Sequence, residues 1–193
     1  RRRWVTACGG AALRGAVGAG ANSLTGALRV PKSCGSAPLG TDMENGFKLY
    51  LKEHGNKLGG RDIDVKLVDE GAGPETGVPA AQSLAQDEAV SVVVGVANSA
   101  VALGAKDAFK EAKKPLIVTN AGADSITGDA SSDYVWRTSF SNSEASGAIG
   151  AYVAQEVKGG GVVLNGPAYA AGKPLLGGCA KTFTAAGGKV AGQ

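Results

Sequence analysis

Aromatic residues make up 5% of this 193-residue chain, histidine occurs once and cysteine three times. Each scarcity removes a class of function. With His54 alone, no Ser/His/Asp or Cys/His relay can be assembled, and its place in EHGNKLGG, at the end of a helix, suits a solvated cation near a helix C-terminus. Cys8, Cys34 and Cys179 lie far apart, without a CxxC pair or a histidine at ligand spacing, which argues against a zinc site. Although 44% of the residues are hydrophobic, no run approaches the ~20 apolar residues of a membrane-spanning helix. The run from Gly166 to Lys173 has one residue too many between its glycines for a phosphate loop, and Pro174 stands where Ser or Thr would hold magnesium. Gly18-Ala19-Gly20 follows no convincing strand, so it makes no dinucleotide fingerprint. No cofactor and no metal are expected.

What the chain has in quantity is glycine, 31 residues, as expected of an Ala/Gly/Val-rich α/β protein with tight turns. Its formal charge of +3 misleads as an average. The first 40 residues carry six Lys or Arg and no acid, whereas Thr41 to Gln193 carry 14 basic and 17 acidic residues. The body is therefore mildly acidic, and nucleic-acid binding loses its electrostatic footing. Residues 1–22 read as a disordered, basic leader. Within it Val5-Thr6-Ala7-Cys8 resembles the lipobox of a bacterial lipoprotein signal, with Cys8 as the lipidated residue. The apolar core of such a signal is missing before Cys8, so either the true start lies upstream or the match is chance. Cys179, in LLGGCAKTF, reads as a small core residue on a helix. If Cys8 is lipidated, a Cys34–Cys179 disulfide is open to the chain outside the cytoplasm, though the spacing does not require it.

Downstream, helical and strand patterns alternate. Thr41 to His54 carries Met43, Phe47, Tyr50 and Leu51 at helical spacing, with Thr41 as N-cap and Glu44 completing a capping box. Asp62 to Asp69 alternates apolar and polar as a half-covered strand does, which puts Asp62 and Asp64 on a solvated face opposite Ile63, Val65 and Leu67. The acidic pair Asp69-Glu70 has no more than this default reading. Pro74 to Asp87 is a helix opened by proline. Strands follow at Ser91 to Gly95, Pro115 to Thr119, Tyr134 to Ser139 and Gly161 to Asn165, and helices at Ala100 to Ala112, Ser143 to Val157 and Gly172 to Ala186. Such alternation means parallel pairing through right-handed crossovers, hence an α/β fold with a doubly wound parallel sheet.

In such sheets ligands bind beyond the carboxyl ends of the strands. Two apolar runs, SVVVG and KPLIVTN, break there into small polar loops, VANSA and NAGAD. Asn98 and Ser99 open the helix that starts at Ala100, where the Ser99 hydroxyl and the first-turn N–H groups suit a carboxylate; the alternative is that Ser99 is simply the N-cap. The loop Asn120 to Asp124 offers backbone carbonyls and small side chains, suited to an ammonium and to close approach of backbone and ligand.

These segments, from GTDMENGFKLYLKEHGNKLGGRDIDVKLVDE through VVVGVANSAVALGAKDAF, KKPLIVTNAGADSITG and YVWRTSFSNSE, resemble the type I periplasmic substrate-binding proteins of branched-chain amino acid ABC transporters, the leucine/isoleucine/valine-binding family. The resemblance covers about residues 23–193. It implies two α/β lobes that close over a small ligand, an amino acid, amide or similar small carboxylate, and deliver it to ABC permease subunits without chemistry. It places the protein outside the cytoplasm, as a periplasmic protein or an envelope lipoprotein whose one membrane contact is a lipid anchor. By position, Ser99 matches the carboxylate-binding serine and Ala121 the carbonyl that takes the ammonium. Ala123 stands where a threonine hydroxyl is frequent, Tyr169 matches the tyrosine of the second lobe, and Ser141 and Asn142 fall at the crossover. Lobe 1 is expected over residues 23–142 and a partial lobe 2 over 143–193, as in a truncated or disrupted member of the family. The first strand is expected to be poorly formed around AVGAGAN, with SLTG followed by an insertion, ALRVPKSCGSAPL. A sensor domain of a receptor or regulator uses the same fold, and a flavodoxin-like enzyme is the more distant alternative.

Overall fold

The computed structural model describes residues 23–33 and 35–193. Residues 1–22, with Cys8, and Cys34 lie outside the described residues, and with them the expected lipidation of Cys8 and a Cys34–Cys179 bridge. Six strands form one sheet in the order β2-β3-β1-β4-β5-β6. They are β1 (Ser23–Val30), β2 (Lys57–Leu58), β3 (Arg61–Asp69), β4 (Val92–Gly95), β5 (Leu116–Val118) and β6 (Val135–Arg137). All pairings are parallel except β2 with β3. That antiparallel pair turns on Gly59 and Gly60, at φ of 56° and 78°, the positive-φ pair that a tight two-residue hairpin requires.

The most consequential correction concerns the first strand. SLTGALRV is itself β1, pairing from Ser23↔Asp62 to Val30↔Asp69 on one side and from Gly26↔Val92 on the other. Of the expected insertion, Ala27 to Val30 are the second half of the central strand and Ala37 to Leu39 the start of the helix that follows it. Ala27, Leu28, Arg29 and Val30 are all buried. Strong β-formers are few here, but a strand flanked on both edges takes its stability from burial and ladder bonds more than from propensity.

Around the sheet run α1 (Ala37–Glu53), α2 (Pro74–Gln86) and α3 (Ser99–Glu111). Right-handed crossovers put α1 on one face and α2 with α3 on the other. The main core lies beneath α2 and α3, where Leu84, Val93, Val101, Phe109, Leu116 and Ile126 are almost wholly enclosed. On the other face α1 starts four residues earlier than expected, after Ser36, with proline in its first turn. Thr41 is therefore no cap; its hydroxyl donates to the Ala37 carbonyl one turn back. Glu44 completes no capping box either, and instead pairs with Lys32 and Lys48. Leu51 is buried, but Tyr50 is half exposed and stacks on His54, whose ring nitrogen Nδ1 lies 2.7 Å from the Tyr50 carbonyl at the helix end. Asp62 and Asp64 are exposed, as the alternation of β3 predicts, but Leu67, expected on the covered face, is exposed too, and Val68 packs against the core in its place.

Beyond β6 come α4 (Asn142–Glu156), β7 (Gly161–Val163), α5 (Gly172–Ala185) and β8 (Lys189–Gly192), an element absent from the sequence reading. β7 and β8 form a second, parallel sheet. α4 and α5 pack closely: the Thr182 hydroxyl donates to the Gly147 carbonyl at 2.7 Å, and Phe183 is fully buried. Cys179 is half-buried between them, less enclosed than a core position. Among the described residues no helix is long and apolar enough to cross a membrane.

Candidate binding cleft

Strand order reverses between β1 and β4, since the chain leaves β1 toward β3 and returns to β4 on the other side. At such a switch point the connecting loops diverge and leave a crevice at the carboxyl ends of the strands. A cavity of about 350 Å³ opens there. After β1 it is bounded by Pro31, Ser36 and Leu39, and after β3 by Glu70 to Ala72. Asn98 and Asn120 contribute the loops after β4 and β5, and Tyr169 reaches it from the segment between β7 and α5. Loops of both sheets therefore meet at one crevice.

Of the residues expected to bind, Asn98 and Tyr169 line this cavity, and Tyr169 is half exposed. Asn98, not Ser99, caps α3: its Oδ1 accepts from the Ala100 N–H at 2.9 Å. Ala100 is thereby engaged in the cap. Ser99 is buried beneath the cleft, and its hydroxyl accepts from the Ala123 N–H at 3.1 Å. Ala121 is buried too, with its N–H donating to the Val96 carbonyl at 3.0 Å. Ser99, Ala121 and Ala123 are thus brought together as one hydrogen-bonded floor between the β4 and β5 loops. Arg137 of β6 braces it from outside, donating to the Ala123 carbonyl at 2.8 Å.

Ser141 and Asn142 sit where the chain passes from the first sheet to α4. Ser141 is the N-cap residue of α4 but makes no side-chain cap. Asn142 is the tie: its N–H donates to the Gly122 carbonyl at 2.8 Å, and its Nδ2 donates to the Ala171 carbonyl at 3.0 Å. It thereby joins the β5 loop to the start of α5. Gly122 is required for this contact, because a Cβ there would lie 2.1 Å from Asn142 Oδ1.

Two buried charges lie beneath the cleft, Glu70, for which a solvated face was the default expectation, and Arg29. Glu70 is 1% exposed, and its two carboxylate oxygens accept from the Ala97 and Asn98 N–H groups at 2.8 and 2.7 Å. Burial pushes its carboxyl pKa up, opposed by those two hydrogen bonds and by the positive charge of Arg29. Arg29 is wholly buried in β1, and its Nη2 donates to the backbone carbonyls of Glu70, at 3.0 Å, and of Gly77 in α2. Burial lowers its pKa, with Glu70 and Asp69 countering. The available signal was an arginine inside the apolar run SLTGALRV together with an acidic pair directly after a strand. Both signals acquire meaning only because SLTGALRV is a strand.

The description "Periplasmic binding protein" belongs to the family model that matches residues 27–193. Two solved solute-binding proteins of ABC transporters from Rhodopseudomonas palustris superpose closely. The one from strain BisB5, in complex with 3,4-dihydroxybenzoic acid, is 34% identical with a TM-score of 0.80, covering 89% of this chain and 46% of its own. The other, in complex with benzoate, is 35% identical with a TM-score of 0.81, covering 88% of this chain and 47% of its own. A Leu/Ile/Val-binding protein homologue of Brucella abortus is 32% identical over 108 residues, which are 55% of this chain and 27% of that protein. The chain thus spans about half the length of these solved relatives. By family match and fold, the chain belongs to the periplasmic binding proteins, with the type I fold of the solved relatives.

Proposed function

We propose that the protein is the extracytoplasmic solute-binding component of an ABC importer, holding a small organic carboxylate in the cleft at the β1/β4 switch point and presenting it to permease subunits. The observation that carries this reading is the convergence of four strand-end loops and Tyr169 on one cavity. Residues 23–142 serve as the first lobe and residues 143–193 as part of the second, with Asn142 at the joint.

The lining fits a ligand with an apolar body and one polar end. Pro31, Leu39 and Tyr169 supply apolar and aromatic surface, whereas Asn98 and Asn120 supply neutral amides. The acid at the cleft, Glu70, has both oxygens committed to backbone N–H groups and is not a free counter-charge for an ammonium. A volume of about 350 Å³ lies in the range of small-ligand sites. Aromatic carboxylates, as bound by the two relatives of R. palustris, and branched-chain amino acids, as named for the Brucella relative, are the two classes to compare.

The test is a thermal-shift screen with benzoate, 4-hydroxybenzoate, leucine and isoleucine, since a ligand that binds only the native state raises Tm with its concentration. One class is expected to raise Tm, and Tyr169→Ala, at a half-exposed position, is expected to reduce the shift without lowering the ligand-free Tm. No shift with any of the four at millimolar concentration would overturn the reading.

A further inference from the structure

We infer that Glu70 is a positioning residue for the cleft, holding the β4–α3 loop in its binding shape before any ligand arrives. This rests on the cleft being the ligand site. Three observations converge on that loop. Val96 has φ of 66°, a left-handed conformation that a β-branched residue adopts only when its surroundings impose it. The backbone at Val96 is pinned on both sides, its N–H to the Arg29 carbonyl at 2.9 Å and its carbonyl by the Ala121 N–H at 3.0 Å. The next two N–H groups, of Ala97 and Asn98, both end on the Glu70 carboxylate.

Without that acceptor, two adjacent N–H groups beside a strained residue would lose their partner, and the loop would be free to relax. Asn98 both lines the cleft and caps α3, so its position depends on the outcome. Glu70 is in turn fixed from behind, because the buried Arg29 binds the Glu70 backbone carbonyl and the Gly77 carbonyl of α2. Arg29 Nε and Nη1 have no hydrogen-bond partner among the described residues, so the guanidinium spends its bonds on holding the β3 end against α2. Its charge also favours the ionised carboxylate, the form in which both Glu70 oxygens accept most strongly and no proton needs a partner. The strand-end acid thus serves ligand binding through the loop it holds.

Residue-resolved amide hydrogen exchange on the ligand-free protein tests this without any ligand. In the wild type the Ala97 and Asn98 amides, which donate to no backbone carbonyl among the described residues, are expected to be protected. Glu70→Gln retains the size but only one acceptor oxygen, and should speed exchange at one or both amides by about tenfold or more, the factor that corresponds to one lost charge-assisted hydrogen bond. Val93, bonded to the Pro115 carbonyl in β4, is the internal reference and should be unchanged. Unprotected Ala97 and Asn98 amides in the wild type would overturn the proposal, even if the variant fails to fold. So would an equal acceleration at Val93, which marks general destabilisation. Titration with benzoate and with leucine adds the binding readout: whichever binds the wild type should bind the variant more weakly. If neither binds the wild type, the solute-binding reading fails, while the exchange data still decide the role of Glu70.

Discussion

Gly150→Ala, in α4, tests how the second unit is built. A Cβ at Gly150 would lie 2.0 Å from Thr182 Oγ1, 2.6 Å from the Cys179 carbonyl oxygen and 2.6 Å from the Phe183 nitrogen. Two of these three atoms are backbone of α5, so no side-chain rotation relieves the clash and the helices must separate. Overpacking of this kind costs about 1–3 kcal/mol. Separation also stretches the Thr182 bond to the Gly147 carbonyl, worth about 1 kcal/mol. The gain in helix propensity from replacing glycine by alanine returns about 1 kcal/mol. The expected net is a destabilisation of about 1–3 kcal/mol. Gly177→Ala in α5 is the control. It makes the same chemical change with nothing within 4 Å of the new methyl, so propensity alone acts and the chain should gain up to about 1 kcal/mol. Thermal unfolding followed by circular dichroism should move the two variants in opposite directions, by roughly 2–4 °C for each kcal/mol in a chain of this size. A Gly150→Ala protein as stable as the Gly177→Ala protein would refute the close helix contact.

Three further outcomes follow from the site and its surroundings. Asn98→Ala removes the cap of α3 and should cost about 1 kcal/mol in urea unfolding, whereas Asn98→Asp should retain most of it; equal losses would show that the Oδ1 bond to Ala100 is not what stabilises the helix start. Ser99→Ala leaves the buried Ala123 N–H without its acceptor and should cost about 1–3 kcal/mol; a change near zero would contradict the hydrogen-bonded floor under the cleft. Hydrogen bonds from Lys32 and then Lys48 hold the Glu44 carboxyl below its usual pKa. Its stabilising contribution is therefore complete above the unfolded value of about 4.3 and is lost as pH falls through the lower folded value. Lys32→Met should make stability fall less steeply with acid across that window, and an unchanged acid limb would exclude the pair as a contributor.

Periodicity and turn chemistry carry much of this fold in the sequence. Pro74 opening α2, the alternation of β3, the apolar runs of β4 and β5 and the helical spacing before Glu111 are local signals, and each element stands within a few residues of where those signals place it. β2 also left a local mark, the Gly59-Gly60 pair between Leu58 and Arg61. The centre of the sheet is different. SLTGALRV has an arginine at its seventh position and little β-branching, and it becomes a strand because β3 and β4 pair with it along both edges. That pairing is non-local, so no window of sequence reports it.

The site divides along the same line. That the loops after β4 and β5 would meet at a crevice follows from an alternating strand and helix order, and the sequence alone determined it. Which side chains face that crevice was decided by tertiary structure. Ser99 and Asn98 are neighbours in one turn, yet a single residue's rotation about α3 sends one under the β5 loop and the other to the cleft. Glu70 and Arg29 are charged, and their charge alone points to the surface. The folded chain buries them because their partners, the Ala97 and Asn98 N–H groups and the carbonyls of Glu70 and Gly77, are brought to them by two different connections of the sheet, the one from β3 through α2 and the loop after β4. A buried charge is stable only where such partners converge, and convergence is a property of the fold.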